Sequence, residues 1–251
     1  MSHFVVAVLS HQPEDVEALL EPFCECPDDA KYLEMCPADE SIDWLKSQYE
    51  LKQAEYATFE DFLQQEYGYE YCEELDEAGY MANPNARWDW WSIGGRWPGL
   101  LKLKSGCRGE YGPNVSTDLQ KDGRCDIAQI KDVDFSPDPQ MYAQAVRFWE
   151  VHVEGSPLAE NETAKMFHSL FAPQYIIDQY HDKEAYARQV AGFDVWALVT
   201  PDGEWREKGQ MGWFAVSDAT HDSRVAFART LQEALESADP NLYITIVDCH
   251  I

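Results

Sequence analysis

The sequence predicts an α+β protein whose first and last strands are neighbours in one antiparallel or mixed sheet, and three observations carry that expectation. The chain opens on a short apolar run, residues 3–9, that passes directly into a helix-like stretch. It closes on a β-branched run, residues 242–251, entered from a helical stretch. At 45% hydrophobic and 13% aromatic residues it carries enough apolar surface to offset chain entropy, so a folded globule is expected.

Each element follows from local pattern. Branching at Cβ suits the pleated surface in residues 3–9, and Ser10 to Pro13 ends that run before the acidic helical stretch 14–20. Ile42, Leu45, Tyr49, Tyr56, Phe59 and Leu63 then recur at three- and four-residue spacing, with Ser41 and Thr58 placed as N-caps. That segment reads as one bent helix or two short ones, its aromatic stripe packed on the main core. Asn83-Pro84-Asn85 marks a turn. Residues 88–97, Trp-Asp-Trp-Trp-Ser-Ile-Gly-Gly-Arg-Trp, read as a strand with a glycine break, and Leu101-Lys102-Leu103-Lys104 alternates as the next strand.

Residues 105–125 are glycine-rich and polar, a surface loop, and Pro137 and Pro139 precede a helix over 140–151. Further helical stretches follow around 164–180 and 182–190, the second closed by Gly192. Residues 193–200 then form a strand that turns at Pro201-Asp202-Gly203 into Glu204-Trp205-Arg206, the clearest hairpin in the chain. Residues 209–214 read either as a loop folding over the site discussed below or as a bent strand. A helix over 223–236 leads through Asp239-Pro240-Asn241 into the last strand. The domain expected is a single one over 1–251, with an acidic helical insertion at 25–80 and the loop at 105–125. Strand-helix at the start and helix-strand at the end is the pattern of a ferredoxin-like core, in which terminal strands lie antiparallel.

Nineteen Lys and Arg against 46 Asp and Glu leave a net charge of −27, so nucleic acid and anionic membrane surfaces should repel the molecule. Residues 13–80 hold 21 acidic and 3 basic side chains, −18 of that total. No run approaches the ~18 apolar residues of a membrane helix, and the start lacks a secretory signal, so a cytoplasmic location is expected. Seven cysteines, at 24, 26, 36, 72, 107, 125 and 249, then read as free thiols. The Cys24-x-Cys26 spacing is not that of a zinc site.

Antiparallel terminal strands with His3 opposite His250 place Val5 opposite Asp248, and the period of two puts His3, Asp248 and His250 on one face. A carboxylate beside an imidazole orients it, and two imidazoles can exchange proton roles, so these three are the candidate catalytic residues. Two nitrogens and one oxygen also suit a divalent metal, the candidate cofactor. Against this stands the reading that both histidines sit on frayed ends. Gly94, Gly95 and Arg96 offer backbone N–H groups and a planar guanidinium to an anion, with Trp88 nearby, as a ligand-binding set. The alternative is a tight turn, with Arg96 paired to a carboxylate and Trp88, Trp90 and Trp97 filling the core. Cys249, on the opposite face from Asp248, reads as core.

The Ser2-His3-Phe4 opening, the segment from Trp88-Asp89-Trp90 to Gly94-Gly95-Arg96-Trp97, Met211-Gly212-Trp213-Phe214 and Val247-Asp248-Cys249-His250 resemble a family of uncharacterised proteins of phages, prophages and their bacterial hosts. The resemblance leaves out the acidic region near 25–80 and the loop near 105–125, and it brings no activity with it. That family's opening often reads His-Phe-Thr, similar to the His-x-Thr of two-histidine phosphoesterases, where paired imidazoles act on a cyclic or 2′,3′ phosphoester. Here position 5 is Val and His250 is followed by Ile251, departures that remove the hydroxyl such a site uses on phosphate.

The leading expectation is a phage-type accessory protein, with counter-defence among its roles, that binds or processes a small anionic, nucleotide-like ligand at His3, Arg96, Asp248 and His250. Another is a non-enzymatic inhibitor whose acidic helices imitate nucleic-acid charge and occupy a basic groove on a host protein. A third is a structural or adaptor module whose acidity serves solubility.

Overall fold

A computed structural model describes residues 2–212, 214 and 216–251. In chain order, β1 (His3–Ser10) and α1 (Val16–Leu20) lead into β2 (Glu34–Pro37), α2 (Ile42–Lys52), α3 (Phe59–Glu66), β3 (Glu70–Cys72) and β4 (Glu77–Ala82). Then come β5 (Trp90–Ile93), β6 (Leu101–Lys102), β7 (Arg124–Cys125) and β8 (Ile127–Gln129). The rest is α4 (Pro139–His152), α5 (Pro173–Tyr180), α6 (Lys183–Ala191), the hairpin β9 (Ala197–Val199) and β10 (Trp205–Glu207), α7 (His221–Ser237) and β11 (Tyr243–His250). The chain divides into two compact units: residues up to Leu20 with those from Trp90 onward, and Glu21–Asp89.

In the first unit β1 and β11 pair antiparallel along their whole length, from His3 opposite His250 to Ser10 opposite Tyr243. The other edge of β11 takes β5 at one end and β8 at the other, both antiparallel. β9 lies parallel to β1, and β10 folds back on β9. The sheet is therefore mixed. It keeps the adjacent terminal strands of a ferredoxin-like core but sets a parallel strand beside β1, a pairing that needs a long crossover and finds one in the helices before β9.

Ala7, Leu9, Ile244 and Ile246 on one face join Leu101, Leu198, Phe227 and Leu231 in the core, while Val6, Val8, Val247 and Cys249 on the other face are also fully buried. Burial on both faces is why these strands read as near-continuous apolar runs rather than as alternating ones. Each such Val, Ile or Leu contributes roughly 1.5–3 kcal/mol relative to exposure. His3, Asp248 and His250 sit at the end of the face that carries Ala7 and Ile246, where the apolar run gives way to polar groups.

The caps expected in Glu21–Asp89 are present: Ser41 Oγ accepts from Trp44 N–H at 3.3 Å and Thr58 Oγ1 from Asp61 N–H at 3.1 Å. Two short helices form, α2 and α3. Their stripe, expected on the main core, has a core within its own unit. Leu45, Phe62 and Leu63 close instead around Ala78 of β4, ringed by Ile42, Tyr49, Tyr56 and Phe59, and Phe59 meets Tyr71 of β3 edge-on at 5.2 Å. The small sheet β2-β4-β3 supplies an apolar face close in sequence, and the stripe is buried there.

Two local expectations change. The stretch 164–180 splits into a 3-10 turn, Ala164–Phe167, and α5, because Pro173 suits a helix start but cannot continue one. The loop 105–125 ends in β7, which pairs with β6. All seven cysteines are free. Among the described residues no helix is long and apolar enough to cross a membrane.

Candidate functional site

The ends of β1 and β11 are tied rather than frayed. Ser2 N–H donates to the Ile251 carbonyl at 2.9 Å and Ile251 N–H to the Ser2 carbonyl at 3.0 Å, one rung beyond the histidines. Ser2 Oγ also donates to the Gly212 carbonyl at 2.7 Å, which draws the segment 209–212 to this end of the sheet; Trp213, named with it above, lies outside the described residues. Strand register does the rest. His3, Asp248 and His250 share a face, and β5 adds Trp90 opposite His250 and Ser92 opposite Asp248.

His3 Nδ1 donates to Asp248 Oδ1 at 2.8 Å, and Asp248 Oδ2 accepts from Arg96 N–H at 3.0 Å. The carboxylate side chain is 2% exposed and the imidazole 16%. Because a carboxylate can only accept, Nδ1 carries the proton of the neutral ring and Nε2 is left as the basic nitrogen. The His250 ring lies edge-to-face on His3, centroids 4.8 Å apart, and Trp90 stands edge-on to His3 at 6.3 Å. Trp90 is 51% exposed, an aromatic surface open beside the imidazoles.

The Gly94-Gly95-Arg96 turn works differently from the expected anion cradle. Gly94 N–H donates to the Ile246 carbonyl at 2.9 Å and Gly95 N–H to that of Ile93 at 3.0 Å, so neither is left for a ligand. The anion that Arg96 N–H holds is the protein's own Asp248. What remains of the set is the guanidinium of Arg96, an exposed residue. Trp88 is corrected too: it is buried in the Glu21–Asp89 unit, its carbonyl accepting from Glu25 N–H at 2.7 Å, and Trp90 is the tryptophan that shares a face with the histidines.

The glycines instead let the turn approach two buried carboxylates. A Cβ on Gly95 would lie 2.3 Å from Asp248 Cβ, and one on Gly94 would lie 2.5 Å from Asp126 Oδ2. Asp126 was not expected from the sequence. It is fully buried, accepts from Gly99 N–H at 2.6 Å and Gly112 N–H at 2.9 Å, and its carboxyl is pushed up by burial against those two bonds. The signal for it was an Asp inside the apolar run Cys125-Asp126-Ile127-Ala128.

The divalent-metal expectation does not hold. Among the described residues no three His, Cys, Asp or Glu side chains converge as a metal needs. Nδ1 of His3 and both oxygens of Asp248 are engaged in hydrogen bonds, and the two imidazoles meet edge to face. Cys249 is wholly buried on the opposite face and its thiol is pushed well above the usual range by burial, which removes it as a nucleophile.

Comparison of the chain with protein-family models, with curated proteins and with solved structures found no match in any of the three. The site combines a carboxylate fixed by the backbone N–H of Arg96, an imidazole fixed by that carboxylate, a second imidazole in contact, and the guanidinium of the same Arg96.

Proposed function

We propose that this end of the sheet is a general acid/base site acting on a small anionic, nucleotide-like phosphoester, in a phage-type accessory protein whose roles include counter-defence. The observation that carries the reading is the chain of contacts from Arg96 N–H through Asp248 to His3 Nδ1. A carboxylate bonded at Nδ1 fixes the ring so that Nε2 can take a proton from an attacking hydroxyl or water, while His250 returns one to the leaving oxygen. Arg96 matches the non-reacting phosphate oxygens with a planar fork, in place of the hydroxyl that Val5 lacks. Trp90 offers a face for the base.

A panel of cyclic nucleotides and 2′,3′-phosphoesters tests this. Turnover of at least one by the native protein is expected, falling roughly 10²–10⁴-fold in His3→Gln and by less in Asp248→Asn. No turnover across the panel, or turnover untouched in His3→Gln, sinks the reading.

One observation favours a second reading, charge mimicry by the acidic unit. Residues 21–89 hold 19 acidic and 4 basic side chains, and Lys31, Lys46 and Lys52 are each spent on an acid, Asp29, Asp76 and Glu66. Capture of a basic nucleic-acid-binding protein from host lysate, released by raised salt, is the expected result; salt-insensitive capture or none contradicts it.

A further inference from the structure

A cleft of about 860 Å³ opens in the first unit, lined by α5, α6, α7 and the segment after β8, and shares no residue with the His3–Asp248 site. Its volume is that of small-molecule sites, roughly 300–1,000 Å³. Its charge runs against that of the molecule. Lys104, Lys131, Arg188, Arg224 and Arg229 all line it, five of the 19 basic residues of a chain with net charge −27. Its two acidic side chains are occupied: Asp194 is held by Lys208 Nζ at 2.5 and 2.6 Å, and Glu236 accepts from Gln232 at 2.7 Å.

The cations are not all bound up in the same way. Arg224 is held in place, its Nε donating to Gln179 at 2.9 Å and its guanidinium 5.5 Å from the Trp196 ring centre. Arg188 and Arg229 are exposed, and among the described residues neither makes an ion pair. The more deeply buried part of the lining, its floor, is largely carbon: Ile130, Val133, Phe135, Phe193, Leu231 and Leu235. Phe135 and Phe193 meet edge-on at 5.2 Å. Those six side chains gain by covering an alkyl or aryl body, and the amides that share the lining are engaged within the protein, Gln179 with Arg224, Gln189 with Asp194 and Gln232 with Glu236. Charge at the rim with carbon beneath selects a ligand with both properties.

We propose that this cleft binds an amphipathic organic anion, a carboxylate or phosphate carried on an apolar body, with the anionic head at Arg188, Arg224 and Arg229 and the body on the Phe135–Phe193 floor. Both head groups present the same chemistry, and the experiment separates them.

Titration calorimetry with dodecanoate, dodecyl phosphate, dodecanol and inorganic phosphate, on the whole protein, is the test. One-to-one binding of either anionic amphiphile is expected, with dodecanol and inorganic phosphate each weaker by about ten-fold or more, since head and body both contribute. The tighter of the two anions identifies the head group. The double variant Arg188→Gln/Arg229→Gln, whose side chains are exposed, is expected to keep the native unfolding midpoint and lose about ten-fold in affinity. Val225→Glu, which puts an acid on an exposed wall position, repels the head group without touching the core and serves if the double variant is destabilised. Absence of binding, equal binding of dodecanol or inorganic phosphate, or an unchanged affinity in the folded variants overturns the proposal.

Discussion

Two adjacent glycines set how near the turn after β5 comes to the buried acids. Gly95 has φ +46° and Gly94 φ +75°, backbone that side chains rarely adopt, and Gly95 leaves no room for a methyl beside Asp248. Gly95→Ala is expected to destabilise by about 1–3 kcal/mol and to draw Arg96 N–H off Oδ2, read as a lower denaturant midpoint. An unchanged midpoint would mean that the turn does not press on Asp248. The placement of His3 against Asp248 was legible in the sequence, because a strand period of two and one register suffice to align them. Asp126 was not, since its burial depends on amides from Gly99 and Gly112, which belong to loops with no period to read.

Helix starts were legible because a cap is a local bargain between one side chain and amides two or three residues on. Ser41 before α2 and Thr58 before α3 both accept as caps should. What ties α4 to the chain beyond it was not legible. Arg147 reaches fifteen residues on to Glu162, Nε to Oε1 at 2.8 Å and Nη2 to Oε2 at 2.6 Å, and the paired guanidinium lowers the Glu162 carboxyl to about 2. A folded value below the unfolded one of about 4.5 means that this contact stabilises fully above pH 4.5 and fades as pH falls towards 2. Glu162→Gln should therefore lower stability at neutral pH and flatten the acid limb between those values. Equal loss of stability in variant and native protein from pH 5 to 2, followed by urea unfolding, would show that the pair contributes nothing.

Charge is distributed unevenly over the whole molecule, and that has consequences for binding at both signs. Residues 21–89 carry −15 of the −27, whereas five cations gather at one cleft in the other unit. If the acidic unit acts by charge mimicry, the exposed Glu70, Glu73, Glu74 and Glu77 are the side chains to neutralise. Asp76 is a poor choice despite its place among them, because Lys46 and Tyr71 already hold its carboxylate and its φ is +51°. Replacing those four with Gln should abolish salt-sensitive capture of a basic partner, and retention of capture would remove net charge as the cause. The acidity of the segment was plain in the sequence. Its possession of a core of its own was not, because spacing identifies an apolar stripe but not the surface that covers it.

The sequence by itself determined the α+β class, the pairing of the two terminal strands, the helix caps and the hairpin at Pro201-Asp202-Gly203, all of which depend on period, chain direction or neighbours a few residues apart. Tertiary structure alone decided that the glycine turn grips Asp248 instead of a ligand, that Trp90 rather than Trp88 faces the histidines, and that scattered basic residues converge on one apolar cleft. Those outcomes join residues far apart in the chain, such as Arg96 with Asp248 and Lys131 with Arg229, and no local pattern encodes which distant surfaces meet when the core closes.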